Sequence, residues 1–479
     1  MSANIAVPSL SFATTMEASP ELRPKLNLGA LFDIQNGVWV LGEYGESILH
    51  GGLAPFVVIA GLPNTYKSTL LKYMVVTTMN NHDSVYTSEM ETELSGSEAR
   101  WESFASTSER LDPYNFIYHP TANPTGRLLR TDAAIYTGDR WWEATKKFAD
   151  SKYENRKSKE VMGTLPIMGK DKKLMPAMYP SIACVDSFSR MNIASVDAIY
   201  DKNLVGESGN NAASLREMNA KNQIVIQMPV VSAQSSMYFI CTAHVSEKYQ
   251  LDPYAASVSK LSFLARNLKL KYVPDQLNFL AQDLYFVFAA NKCVTKDKTP
   301  QYPRDALDNS METTDLMSLT VMNLRGKSGL SGLPYEYIVS QTDGLNVGLS
   351  ELTYLRQYGG YGIGGHDKGY YLELRPDVKL TRTTVRSKIS EDNRLKQAFH
   401  FTSEMLQMRN LWRNLEPGLL CTPAELYEDL KKMGYDWDVL LNTRYYYTFK
   451  GHESDRLPFL STMDLLRMRK GLYKPYWMS

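Results

Sequence analysis

The octapeptide Gly61-Leu62-Pro63-Asn64-Thr65-Tyr66-Lys67-Ser68 sets a glycine, a lysine and a hydroxyl at the spacing with which a loop can wrap a chain of phosphates. Backbone N–H groups and the N-terminus of a following helix offer partial positive charge to anions. In that geometry Lys67 reaches the outer phosphates and Ser68 is a Mg²⁺ ligand. The nucleotide-binding candidates are therefore Gly61, Leu62, Pro63, Asn64, Thr65, Tyr66, Lys67, Ser68 and Thr69. One departure stands out: Tyr66 occupies the position of the pattern's second glycine. The competing reading is a chance strand, turn and helix containing a lysine.

Three further positions could complete such a site. Asp186 closes the apolar run Ile182-Ala183-Cys184-Val185, and a carboxylate at a strand end can hold Mg²⁺ directly or through water, although many strands simply turn on an aspartate. Glu89, in Tyr86-Thr87-Ser88-Glu89-Met90-Glu91, is the candidate for polarising an attacking water. Glu91 and Glu93 compete for that role, against a plain solvated acidic loop. His244 follows Ile240-Cys241-Thr242-Ala243 and is placed to sense a terminal phosphate, though a lone histidine after an apolar strand is commonly a core residue. Arg325 and Lys327, after a later strand, could reach a phosphate across a subunit boundary or form a solvated basic turn. Over 246–280, Lys248, Lys260, Arg266, Lys269 and Lys271 interleave with Tyr249, Phe263 and Tyr272. That mixture suits single-stranded nucleic acid, by phosphate neutralisation and base stacking, and equally suits an amphipathic helix. The stretch 467–474 is a second basic patch of the same ambiguity.

These residues need strands to carry them. The run Phe56–Ala60 (FVVIA) reads as a buried strand and Ser68–Met79 as a helix. Ser84–Ser88, Ile182–Val185, Met237–Thr242, Leu284–Ala290 and Ser318–Leu324 read as strands, and Tyr335–Ser340 as one arm of an edge hairpin turning at Asp343-Gly344. The segment 94–150 reads as mostly helical, with a short strand at Phe116–Tyr118. Residues 151–175 read as a charged insertion with a hairpin turning near Gly169-Lys170-Asp171. The glycines of 359–369 read as a flexible connection. Short apolar strands alternating with helices over 55–290 predict an α/β doubly wound sheet, largely parallel. Ligands of such sheets bind beyond the carboxyl ends of the strands, which is where Lys67, Glu89, Asp186 and His244 fall.

Composition sets the outer bounds. A chain of 479 residues with 43% hydrophobic and 22% charged residues is long enough for two to three domains and a full core. Balanced charge, 53 basic against 52 acidic residues, neither announces nor excludes a nucleic-acid partner, which needs only a local patch. Cys184, Cys241, Cys293 and Cys421 have no C-x-x-C spacing and are expected to be reduced thiols. No membrane span and no secretory leader is expected.

Taken together, these segments resemble the RecA-like ATPases, and in particular the UvsX-type recombinases of tailed bacteriophages. Gly51-Gly52-Leu53 through Lys67-Ser68 is similar to that family's leader, strand and phosphate loop, and an aromatic before the lysine is a feature of its members. Tyr86-Thr87-Ser88-Glu89 resembles the segment with the catalytic glutamate, Val185-Asp186-Ser187 the metal-binding strand end, Ala243-His244 the sensor position, and Leu324–Ser328 the strand end whose lysine points to a neighbouring subunit's nucleotide. The resemblance spans about 50–350. It implies a RecA-like core with a mostly parallel twisted sheet flanked by helices (51–350), an N-terminal arm (1–50) and a mainly helical C-terminal domain (351–479). It further implies ATP and Mg²⁺ as cofactors, and catalytic roles for Glu89, Lys67 and His244. Single-stranded DNA would be the partner, bound in a homo-oligomeric filament or ring. Two loops, 187–235 and 246–280, would face the DNA, the second through Lys248, Arg266, Lys269 and Lys271. Phage replication or recombination proteins would be further partners, in the cytoplasm of an infected host. Where the family has a glycine cluster in the second loop, this chain has Leu268-Lys269-Leu270-Lys271. Two other readings share the sequence features: a hexameric helicase of the DnaB type, and a non-catalytic RecA-fold scaffold.

Overall fold

The structure, a computed structural model, describes residues 23–94, 96–203, 211–247, 261–264, 267–327, 329–366, 368–412 and 415–478. Its centre is a ten-stranded sheet. The strands are β1 (Phe56–Gly61), β2 (Tyr86–Glu91), β3 (Leu128–Asp132), β4 (Ser181–Asp186), β5 (Met237–Glu247), β6 (Leu268–Leu270), β7 (Asp283–Lys292), β8 (Leu316–Gly326), β9 (Pro334–Ser340) and β10 (Gly344–Asn346). They lie in the order β10-β9-β8-β7-β1-β5-β4-β2-β3, with β6 paired to β5. From β7 to β3 every pairing is parallel. β8, β9 and β10 extend the sheet as antiparallel strands, and β6 is antiparallel to β5.

The central strands are buried on both faces because helices cover both. That is why β1 reads FVVIAG with no polar alternation. Its residues divide cleanly. Val57 and Ile59 pack with Leu70, Leu71 and Met74 of the helix Lys67–Asn81. Phe56, Val58 and Ala60 pack with Trp141 and Trp142 of the helix Gly138–Glu154 and with Val225 and Met228 of the helix Asn211–Ser235. Residues of the C-terminal third, including Leu352, Phe399 and Leu465, join the first of these cores rather than forming one of their own. The bonds that tie the N-terminal and C-terminal parts of the described chain together include Ser47 N–H to Asp464 Oδ1 at 2.8 Å, Tyr447 OH to Lys25 O at 2.5 Å and Arg467 Nη1 to Gly45 O at 2.8 Å.

Several local expectations meet a different outcome. The segment 94–150 holds two helices, Glu98–Ala105 and Gly138–Glu154, but the stretch between them is turns plus the edge strand β3. Phe116–Tyr118 contributes only an isolated bridge, Ile117 to Leu128. The glycine-rich stretch is a turn through Gly359, Gly360 and Gly362, and from Ile363 on a small antiparallel sheet, Ile363–His366, Gly369–Leu372 and Arg375–Leu380. Gly364 serves packing: a Cβ there would fall 2.5 Å from the ring of Tyr371, its cross-strand partner. The insertion forms a hairpin, Met162–Met168 with Leu174–Met178, which buries Leu165 and Ile167 against Tyr447 and Phe449.

Candidate functional site

The candidate phosphate loop, Gly61–Ser68, joins β1 to the helix Lys67–Asn81. Gly61 is required by space, because a Cβ there would sit 2.6 Å from Thr65 Oγ1 and 3.1 Å from Val287 O. Tyr66 takes the left-handed conformation that a glycine would adopt freely, with φ 61° and ψ 29°, and Asn64 has φ 60°. A left-handed non-glycine residue costs about 1–2 kcal/mol. The Tyr66 ring packs against the core beneath the sheet, which offsets that strain. Thr65 Oγ1 donates to Leu62 O at 2.8 Å, and Lys67 Nζ donates to the same carbonyl at 2.7 Å. The ammonium is thus folded back into the loop it closes. Burial pulls the Lys67 pKa below its ordinary value, against the pull of Asp186 and Glu93 in the other direction. Ser68 is exposed in the first turn of the helix, where N–H groups lack intrahelical partners.

The parallel register delivers the other residues to the same edge. Glu91 lies opposite Asp186, and Gly61 opposite His244. Asp186 is buried, and its Oδ1 accepts from Thr242 Oγ1 at 2.6 Å. His244 Nε2 and Glu93 Oε1 are 2.7 Å apart, and Ser187 Oγ donates to the same glutamate oxygen at 3.1 Å. Burial would raise the Glu93 pKa. The bonds from His244 and Ser187 and the charges of His244 and Lys67 outweigh it and hold Glu93 below its ordinary value. Thr92 locks the two acidic strand ends together. Its N–H donates to Asp186 O, its Oγ1 donates to Ser187 O and accepts from Ser187 N–H, each at 2.8 Å.

The three glutamates of this segment have separate fates. Glu89 is fully enclosed: Oε1 lies 3.3 Å from Lys72 Nζ, and Oε2 accepts from Arg130 Nε at 2.6 Å and Trp101 Nε1 at 2.9 Å. Both of its oxygens are engaged inside the core, so the structure places Glu89 in an ion-pair cage rather than on the phosphate loop. Glu91 is turned toward the loop that follows β2, where its Oε1 accepts from Glu93 N–H at 3.0 Å; burial raises its pKa. Glu93 is the one that stands beside His244 and within the field of Lys67.

Arg325 and Lys327 lie elsewhere. Gly326 pairs with Asp283, which pairs with Val57 at the start of β1, whereas Gly61 pairs with Val287. Four residues of strand, about 13 Å, separate the two ends. Arg325 Nη2 donates to Phe279 O at 2.9 Å, and burial lowers the pKa of Lys327. Within one chain neither side chain meets the phosphate loop. Of the basic residues expected in the second loop, Lys248 and Arg266 lie outside the described residues. Lys269 and Lys271 are exposed on and just after β6, with Tyr272 beside them and Lys271 Nζ 4.8 Å from the Tyr272 ring centroid. A cavity of about 1030 Å³ sits on the far side of the helix Lys67–Asn81, lined by Tyr73, Thr77, Arg386 and His400, and takes in neither Lys67 nor Asp186.

Thr92, Ser187 and Thr242 were not singled out from the sequence. Thr242 precedes His244 by two residues and so shares its strand face, which is the one local signal available.

Fold and site together define a mixed α/β protein whose mostly parallel sheet, flanked by helices, carries a glycine–lysine–serine loop at its centre. Among solved structures, the crystal structure of the RadB recombinase is similar to this chain, with 12% identity, 62% of this chain and 92% of that chain covered, and a TM-score of 0.32. No family model and no curated protein matches. Among the described residues no helix is long and apolar enough to cross a membrane.

Proposed function

We propose that this chain is an ATP-hydrolysing, DNA-binding protein of the RecA-like recombinase type, working as an oligomer on single-stranded DNA. One observation carries the reading. Lys67, Asp186, Glu93 and His244 converge on a single sheet edge, and the strand that bears His244 also bears the ribbon with Lys269 and Lys271. Lys67 and the helix N-terminus would bind the phosphates. Ser68 and Asp186 would hold Mg²⁺ together with phosphate oxygens, the arrangement this small, hard ion favours over an all-protein cage. Glu93, rather than the enclosed Glu89, would orient the attacking water, with His244 holding it in place. Arg325 and Lys327, at the opposite edge, would act on the nucleotide of a neighbouring copy.

The direct test is ATP turnover with and without single-stranded DNA, in the wild type and in Lys67→Ala. The expected outcome is DNA-stimulated hydrolysis that the substitution removes. Unaffected turnover in Lys67→Ala would sink the mechanism, and the absence of both DNA stimulation and salt-dependent DNA binding would favour a scaffold. Closed rings in electron micrographs, in place of open filaments, would favour a helicase.

A further inference from the structure

Side chains on β5 alternate between the two cores. Ile240 belongs to the core that packs the helix Lys67–Asn81, and Cys241 and Ala243 belong to the other. Thr242 therefore faces the same side as Ile240, and it is completely buried. A valine would fill this strand position with the same shape and no hydroxyl to satisfy. The hydroxyl has one partner: Thr242 Oγ1 donates to Asp186 Oδ1 at 2.6 Å, beside the pairing that sets Cys241 opposite Val185. The second oxygen of that carboxylate, Oδ2, stays accessible and has no hydrogen-bond partner among the described residues, although Asp186 as a whole is only 8% exposed. The carboxylate is thus divided, with one oxygen held by a proton of the neighbouring strand and one left for the site. That division bears on which cation fits. Mg²⁺ is small and demands a near-ideal octahedral shell, whereas Ca²⁺ is larger and takes carboxylates through one oxygen or both.

We propose that Thr242 is a positioning residue that sets the cation preference of the nucleotide site. By occupying Oδ1 it confines Asp186 to binding through Oδ2 alone, which suits Mg²⁺ and denies Ca²⁺ the two-oxygen mode. Without the hydroxyl the carboxylate is free to turn and to offer both oxygens. The inference rests on the nucleotide-site reading, which supplies the cation, and is independent of the DNA reading.

The test measures affinity of the full chain for a non-hydrolysable ATP analogue under three conditions: EDTA, Mg²⁺ and Ca²⁺. In the wild type Mg²⁺ tightens binding more than Ca²⁺ does. Thr242→Val keeps the shape and removes the donor. Its dissociation constant in Mg²⁺ is expected to rise by about tenfold, the lower end of the cost of losing a metal ligand's outer partner. Its constants in Ca²⁺ and in EDTA are expected to stay at the wild-type values. Thr242→Ser restores the donor and with it the Mg²⁺ preference. A purely structural role would instead weaken binding alike under all three conditions. Should Thr242→Val fail to fold, Thr242→Ala removes the donor without crowding the carboxylate and is expected to show the same selective loss. Unchanged Mg²⁺ binding in either folded variant, an equal loss under all three conditions, or a wild type with no preference for Mg²⁺ overturns the proposal. Failure of the nucleotide reading shows separately, as a wild type that binds no analogue under any of the three, and it overturns this proposal as well.

Discussion

Replacing Glu89 by alanine separates a structural carboxylate from a catalytic one. The side chain is fully buried and its two oxygens serve Lys72, Arg130 and Trp101. Removing it leaves an ammonium and a guanidinium facing each other in a space closed by an indole. Breaking a buried ion pair from one side costs about 3–5 kcal/mol, because the remaining charge loses its compensation. Arg130 keeps 16% exposure and can draw some water, while Lys72 at 6% cannot, so the loss belongs near the lower figure, about 3 kcal/mol. Glu89→Gln keeps the shape and one acceptor and falls between, at roughly 1.5–3 kcal/mol. Urea unfolding reads the stability, and ATP turnover is measured at a temperature where both variants stay folded. Stability is expected to drop while turnover of the folded protein stays within about tenfold, less than the 10²–10⁴ typical of a lost general base. Glu93→Gln is expected to do the reverse, with near-normal unfolding and turnover reduced by about 10² or more. A Glu89→Ala protein that unfolds like the wild type but has lost turnover would refute the cage argument and return Glu89 to the reacting centre.

His400 is buried with Nε2 3.2 Å from Glu404 Oε1 and Nδ1 3.5 Å from Glu351 Oε1. Burial alone would favour the neutral ring, but the two carboxylates prevail and hold it protonated up to about 10, so its contribution to stability is full below the ordinary histidine value and is lost as pH rises through about 10; His400→Gln should flatten the fall of the urea midpoint between neutral and alkaline pH. Lys269→Ala and Lys271→Ala should each lower the slope of log affinity for single-stranded DNA against log salt by about 0.7, the increment for one phosphate contact on a single strand, without changing ATP turnover in the absence of DNA.

How far the sequence reached depended on whether a role is settled locally. Gly61–Ser68 is legible because a strand, a tight turn and a helix start all leave marks within a dozen residues, and the structure has them in that order. The central strands β1, β4, β5 and β7 are legible because burial on both faces leaves unbroken apolar runs, whereas the edge strand β3 and the short β6 have no such run and are not read as strands. Glu89, Glu91 and Glu93 are the contrary case. They share one residue type at alternate positions, so pattern alone ranks them by closeness to the apolar run and prefers Glu89. What distinguishes them comes from Lys72, Trp101 and Arg130 on one side and from Ser187 and His244 on the other, each brought in by a different element. Gly364 misled for a related reason. Glycine marks a loop unless a partner needs the space, and that partner, the Tyr371 ring, is visible only once the strands are paired.

Tyr66 shows how such a site tolerates a broken pattern. A glycine is favoured at that position for its backbone freedom, yet the loop needs only the conformation, and Tyr66 adopts it with its half-buried ring packed against the core. The left-handed turn that a glycine would make freely is thus made by a tyrosine, and the loop still leads into the helix that carries Lys67. Charge is harder to replace. Around the loop Lys67 faces Asp186 and Glu93, while Arg325 and Lys327 sit at the far edge of the same sheet. A triphosphate with Mg²⁺ brings more negative charge than one lysine neutralises, and preorganised cations lower the cost of moving that charge onto a leaving phosphate. In the proposed oligomer, Arg325 and Lys327 of one copy would be brought to the loop of the next and would supply the positive charge that a single copy lacks there.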